Sequence, residues 1–255
     1  MQVEICVDSV ESAIAAERGG AQRVELCSDL LEGGITPSAG LIATVRRRIG
    51  IGLFVMIRPR GGDFCYTDFE FEAMQEDIRR ARQMGADGLV FGVLDQHARV
   101  DVGRTRKLVE LAGPLPVTFH RAIDMTPDPC AALNDVVAAG VQRVLTSGGA
   151  ARVSEGLPVV EGMVKAADGR VGVMAGGGIT QETIARIAAA TGACEFHASL
   201  RSTRPSPVDF HRRNVQMGEV RDREYLRFAV EEESVRALVA ALQRLAEERA
   251  AAGPR

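Results

Sequence analysis

A chain of 255 residues, 46% of them hydrophobic and with a formal charge of −3, has the length of one β/α barrel and enough apolar content for a sizeable core. Its charge leaves no basic footprint for nucleic acid, and no apolar run approaches the roughly 20 residues that span a bilayer. The N-terminus enters a strand pattern directly, without a basic, signal-like segment, so a cytoplasmic protein is expected.

In chain order, the first strand is expected at QVEIC (2–6), followed by a helix capped at Asp8 or Ser9 and ending at Gly19-Gly20. A second helix is expected from Ser38 to Ile49 and a third from Asp68 to Met84. A fourth follows Asp101, and a fifth starts near Thr126-Pro127. A shorter apolar stretch at 155–166 and a helix from Thr180 to Thr191 come next. The last helix is expected over 231–251.

Between these helices one unit recurs four times: a glycine, a spacer, then an apolar strand. It begins at Gly20, Gly85, Gly140 and Gly192. Further strand runs begin at 2, 53, 116 and 171, so strand and helix alternate eight times. This is the pattern of an α/β fold with a single (β/α)8 barrel over residues 1–255, whose chemistry sits at the strand ends. The stretch 200–230 is expected as a long loop before the last helix. It holds Arg201, Arg204, Arg212, Arg213, Arg221 and Arg223 and reads equally as a lid, a subunit contact or a solvated excursion.

Strand residues alternate in direction. Outward positions such as Val24, Leu26, Leu89 and Phe196 are apolar. The inward set then includes Glu4, Cys6, Glu25, Cys27, Met56, Arg58, Thr118, His120 and His197, with Glu195 lower on the same face. Glu4 and Glu25 on neighbouring strands need a cation between them, and Arg58 is the expected partner. His120, Glu195 and His197 are expected together on the opposite arc. A lumen filled for stability alone would carry Val, Ile and Leu. Glu4, Glu25, Arg58, His120, Glu195 and His197 are therefore candidates for proton transfer on a small anionic metabolite.

Arg58 and Arg60, with Gly61-Gly62, read as an anion-holding strand end. Ser147, Gly148 and Gly149 in TSGG, and Gly176, Gly177 and Gly178 in AGGGI, read as backbone nests for phosphate or as plain turns. The two lysines, Lys107 and Lys165, fall on helices, so no Schiff-base lysine is offered at a strand end. No nucleotide cofactor is expected. The five cysteines include no CxxC pair and are expected free. Cys6 and Cys27 end adjacent strands, and Cys65 lies in a following loop. Soft thiolates there suit Cu(I), while cysteine is also a common core residue.

Across nearly the whole chain, several segments resemble the CutC family of copper homeostasis proteins. They are RVELCSDLLEGGITPS at 23–38, IRPRGGDFCYTD at 57–68, VTFHRAID at 117–124, VLTSGG at 144–149, MAGGGI at 174–179 and EFHAS at 195–199. Ile123 stands where a phenylalanine is expected in HRAID. The resemblance implies a β/α barrel, a cytoplasmic homo-oligomer (dimer or tetramer) and a part in copper handling. It also implies Cys6, Cys27 and Cys65 as Cu(I) ligands. The residues themselves leave a second expectation: an isomerase, lyase or hydrolase acting on a small anion.

Overall fold

The computed structural model describes residues 1–212, 214–218, 220 and 223–251. Eight short runs with apolar residues on alternate positions form strands: β1 (Gln2–Val7), β2 (Arg23–Leu26), β3 (Gly52–Met56), β4 (Gly88–Phe91), β5 (Val117–Phe119), β6 (Arg143–Thr146), β7 (Gly172–Gly176) and β8 (Glu195–Ala198). Each pairs in parallel with the next, and β8 pairs with β1, which closes the barrel. The ring registers Glu4 opposite both Arg23 and His197.

The helices are α1 (Val10–Arg18), α2 (Ala39–Arg46), α3 (Asp68–Gln83), α4 (Val102–Ala112), α5 (Pro129–Ala138), α6 (Leu157–Ala167), α7 (Ile184–Thr191) and α8 (Glu232–Ala251). Ser9, Ser38 and Asp101 cap α1, α2 and α4 by accepting a hydrogen bond from a free first-turn amide. Thr67 and Glu70 form a reciprocal capping box on α3.

Three boundaries differ from expectation. Residues Arg121–Met125 form a 3₁₀ turn, and α5 starts only at Pro129, capped by Asp128. The Thr180 amide donates to Thr183 Oγ1 at 3.0 Å, which holds a turn and delays α7. The segment at 200–230 is not wholly loop. Its ends pair as antiparallel strands β9 (Arg201–Pro205) and β10 (Leu226–Val230). The hairpin is tied to α1 where the Val230 amide donates to Ser12 Oγ at 3.1 Å. Arg201 pairs with Asp8 and Arg204 with Glu231. Arg213 and Arg221 lie outside the described residues.

The large apolar core is the shell between strands and helices, where Ile5, Leu26, Leu53, Leu89 and Phe196 are fully buried. The lumen differs: one small apolar cluster (Cys6, Cys27, Phe54, Met56, Val90) sits among charged groups. Two glycines shape it. A Cβ on Gly88 would lie 2.3 Å from the Phe54 ring, and one on Gly92 would lie 2.6 Å from the His120 ring. Their bare backbones let both rings lie across the barrel. No helix among the described residues is long and apolar enough to cross a membrane.

Candidate functional site

At the N-terminal ends of the strands, inward residues build an ion network. Arg23 Nε donates to Glu4 Oε2 at 2.6 Å, and its other nitrogens reach Gln2 and Glu195. Arg143 Nε donates to Glu195 at 2.7 Å. Both guanidiniums lie 5.3 Å from the Phe54 ring centre, a cation–π arrangement. Glu195 is thus a floor residue held between two arginines, not a neighbour of His120 at the mouth. The cations that satisfy Glu4 are Arg23 and His197, not the expected Arg58. Barrel closure places β8 beside β1, so His197 meets Glu4 directly instead of facing it across the ring.

Above this floor, His197 Nδ1 lies 2.7 Å from Glu4 Oε1, and its Nε2 lies 3.7 Å from Glu25 Oε2. Burial would raise the Glu4 pKa. The His197 hydrogen bond and the Arg23 charge outweigh it and hold Glu4 at about 2. Burial likewise opposes charge on His197, but Glu25, Cys6 and Glu4 raise its pKa well above the usual histidine range. Glu25 itself is pushed up by burial.

Next come the thiols. Cys6 and Cys27 are both buried, with sulfurs 3.9 Å apart, and Cys27 Sγ lies 3.5 Å from Glu25 Oε2. The hydrogen bond between them holds Cys6 down at about 5 and pushes Cys27 well up, while burial raises both. Ligand atoms of Cys6, Glu25 and Cys27 all lie within 4.8 Å of one another, as do those of Glu4, Glu25 and His197. Cys65 is exposed and belongs to neither group.

Beside Cys6 opens a cavity of about 120 Å³, bordered by Cys6, Glu25, Arg58, Phe64, His120 and His197 among others. Larger clefts of about 380, 490 and 290 Å³ lie among the outer helices, but no cysteine or histidine lines them. Chemistry therefore favours the smaller cavity. Arg58 spends its terminal nitrogens on the carbonyls of Glu32 (2.7 Å), Gly34 (3.0 Å) and Gly62 (2.8 Å), pinning two loops at the mouth. Arg60 turns away: it binds Asp63, Glu70 and the carbonyls of its own loop. Burial, then the Arg58 charge, pushes His120 down to about 3, so it is neutral.

The TSGG nest already holds an anion, and it belongs to the chain. Asp124 accepts hydrogen bonds from the amides of Ser147 (3.0 Å) and Gly149 (3.0 Å), from the Ser147 hydroxyl (2.8 Å) and from Arg121 Nε (2.8 Å). The Gly148 amide goes to Thr146 Oγ1 at 2.8 Å. In the second glycine run, Gly176 faces the lumen against Leu145 and His197, Gly177 accepts from the Val153 amide, and Gly178 lies beside Arg152.

The structure therefore brings Glu4, Cys6, Glu25, Cys27 and His197 into one continuous cluster, with His120 and Arg58 at its rim. It sets Glu195, Arg60 and Cys65 apart. Sequence reasoning missed Arg23, Arg143, Phe54 and Asp124. A signal existed for two of them: Arg23 and Arg143 stand three residues after a repeated glycine, as Glu195 does.

The family model described as the CutC family matches residues 1–202. Copper homeostasis protein cutC homologs of Mus musculus and Homo sapiens are 54% and 53% identical over 216 residues, 85% of this chain and 79% of each relative. A family protein CutC of Chromobacterium violaceum is 49% identical over 242 residues, 95% of this chain and 98% of that one. A solved CutC structure from Streptococcus agalactiae matches with a TM-score of 0.74 at 34% identity, covering 77% of this chain and 97% of that one. Thiamine phosphate pyrophosphorylase from Pyrococcus furiosus, at 16% identity and a TM-score of 0.58, shares the fold alone.

Proposed function

The chain belongs to the CutC family, and from that premise we propose that it serves copper homeostasis by binding one Cu(I) ion between the sulfurs of Cys6 and Cys27. The observation that carries this reading is the buried sulfur pair, 3.9 Å apart, of which Cys6 borders the mouth cavity. Two thiolates on one ion at about 2.3 Å each, the length of a zinc–thiolate bond, lie at most about 4.6 Å apart. The pair is within that span without backbone movement. Soft sulfur donors favour Cu(I) over the harder divalent ions. The relatives named for copper homeostasis support the same cargo.

The chain would work in the cytoplasm, where thiols stay reduced, and as a homo-oligomer. Glu25 is the nearest oxygen donor, and the Glu4–His197 pair beneath it fixes the floor of the site. Arg58 closes the rim by holding the 32–34 and 61–62 backbones together.

Anaerobic competition for Cu(I) against a chromophoric chelator tests this reading. Wild-type protein is expected to retain one Cu(I) per chain. Cys6→Ser and Cys27→Ser are each expected to lose it, and Cys65→Ser to keep it. Surrender of all copper by wild type, or equal loss in Cys65→Ser, would contradict the assignment.

A further inference from the structure

We propose that the barrel mouth also holds a short monocarboxylate, its carboxylate against the His120 Nε2–H and the Arg58 guanidinium and its carbon chain against Phe64, Met56 and Leu145. All five residues line the same cavity of about 120 Å³.

The first argument is an unpaired charge. Arg58 is 5% exposed, yet among the described residues no carboxylate forms an ion pair with it. Its terminal nitrogens reach only backbone carbonyls, whose dipoles solvate a cation without neutralising it. Buried charges are ordinarily paired. Arg60 and Arg121, by contrast, each have an internal carboxylate, Asp63 or Glu70 for one and Asp124 for the other.

The second argument is an orphaned donor. His120 is 4% exposed, and its Nδ1 accepts from the Ala122 amide at 3.2 Å. A neutral imidazole whose Nδ1 accepts carries its proton on Nε2. That Nε2 is buried and has no partner among the described residues. A buried donor left unmet is destabilising, and an acceptor brought by a ligand removes that cost.

The walls define the ligand class. The Phe64 ring lies 4.8 Å from the His120 ring and 4.9 Å from the Arg58 guanidinium, so an apolar face adjoins the polar corner. Met56 and Leu145 are buried apolar side chains of the lumen. Glu25, on the thiol side, lies 3.7 Å from His197 Nε2. A single negative charge with a two- to four-carbon tail, as an order-of-magnitude size for such a volume, fits this division. A phosphate would bring a second charge and no apolar surface for Phe64, Met56 and Leu145. This inference does not depend on copper.

Calorimetric titration of metal-free, reduced wild-type protein with propionate tests it, with inorganic phosphate as the second probe. Propionate is expected to bind, phosphate not to, and His120→Phe to weaken propionate at least tenfold. If that variant does not fold, the imidazole N–H resonance of His120 in wild type decides. It is expected to shift on propionate addition and to stay fixed with phosphate. Absence of propionate binding, phosphate binding in its place, an unshifted imidazole resonance, or undiminished affinity in folded His120→Phe would each overturn the proposal.

Discussion

Arg23→Met is expected to cost about 3–5 kcal/mol of folding stability at neutral pH, measured by urea unfolding. Arg23 is nearly buried between Glu4, which is fully buried, and Glu195. Methionine keeps most of the volume and removes the charge, leaving Glu4 with His197 alone. Breaking a buried pair from one side is costly because the remaining charge stays out of water. The deficit should depend on pH in a defined direction. In wild type Glu4 sits at about 2 when folded, below its ordinary value of 4.5. A depressed carboxylate contributes stability that is full above its unfolded pKa and is lost as pH falls through the folded one. Without Arg23 the depression shrinks, so the gap between variant and wild type should narrow between about pH 4.5 and pH 2. A loss below about 1 kcal/mol that is flat with pH, the size typical of a surface pair, would mean that the floor network does not hold the barrel.

Asp124→Ala is expected to be nearly as damaging, at about 3 kcal/mol or more, because several donors lose one acceptor together. The carboxylate is 4% exposed and gathers the amides of Ser147 and Gly149, the hydroxyls of Thr146 and Ser147, and Arg121. Its removal should recreate the empty nest that the TSGG sequence advertises. Added phosphate should then raise the melting temperature of the variant in proportion to its binding and leave wild type unmoved. Equal salt effects on both proteins would show that the nest has no affinity for anions of its own.

Asp124 also shows where reading the sequence stops. TSGG has the glycines of an anion nest, and the nest forms. That a carboxylate from a 3₁₀ turn 22 residues earlier would fill it has no local signal. The inward face of the barrel was legible because strand alternation is strict: apolar outward residues such as Ile5, Val24 and Phe196 force Glu4, Glu25 and His197 into the lumen. Partner choice was harder. Alternation sets Glu195 lower on the inward face but not which neighbours hold it, so it was grouped with His120 although Arg23 and Arg143 hold it at the floor. Arg58 was expected to meet the glutamates because charge favours it. The loops at 32–34 and 61–62 instead present carbonyls to its terminal nitrogens, a conformation no spacing rule encodes. The β9–β10 hairpin was hidden for another reason. Its first strand carries Arg201, Ser202, Thr203, Arg204 and Pro205, a polar run without the apolar alternation that marks a half-buried strand.

The most direct measurement on the central claim is X-ray absorption at the copper edge on anaerobically loaded protein, with Cys65→Ser beside wild type. A buried Cys6–Cys27 site predicts one copper per chain with two sulfur neighbours at about 2.3 Å, unchanged in Cys65→Ser. A shell of nitrogen or oxygen alone, or sulfur neighbours that vanish with Cys65, would place copper elsewhere and contradict the account.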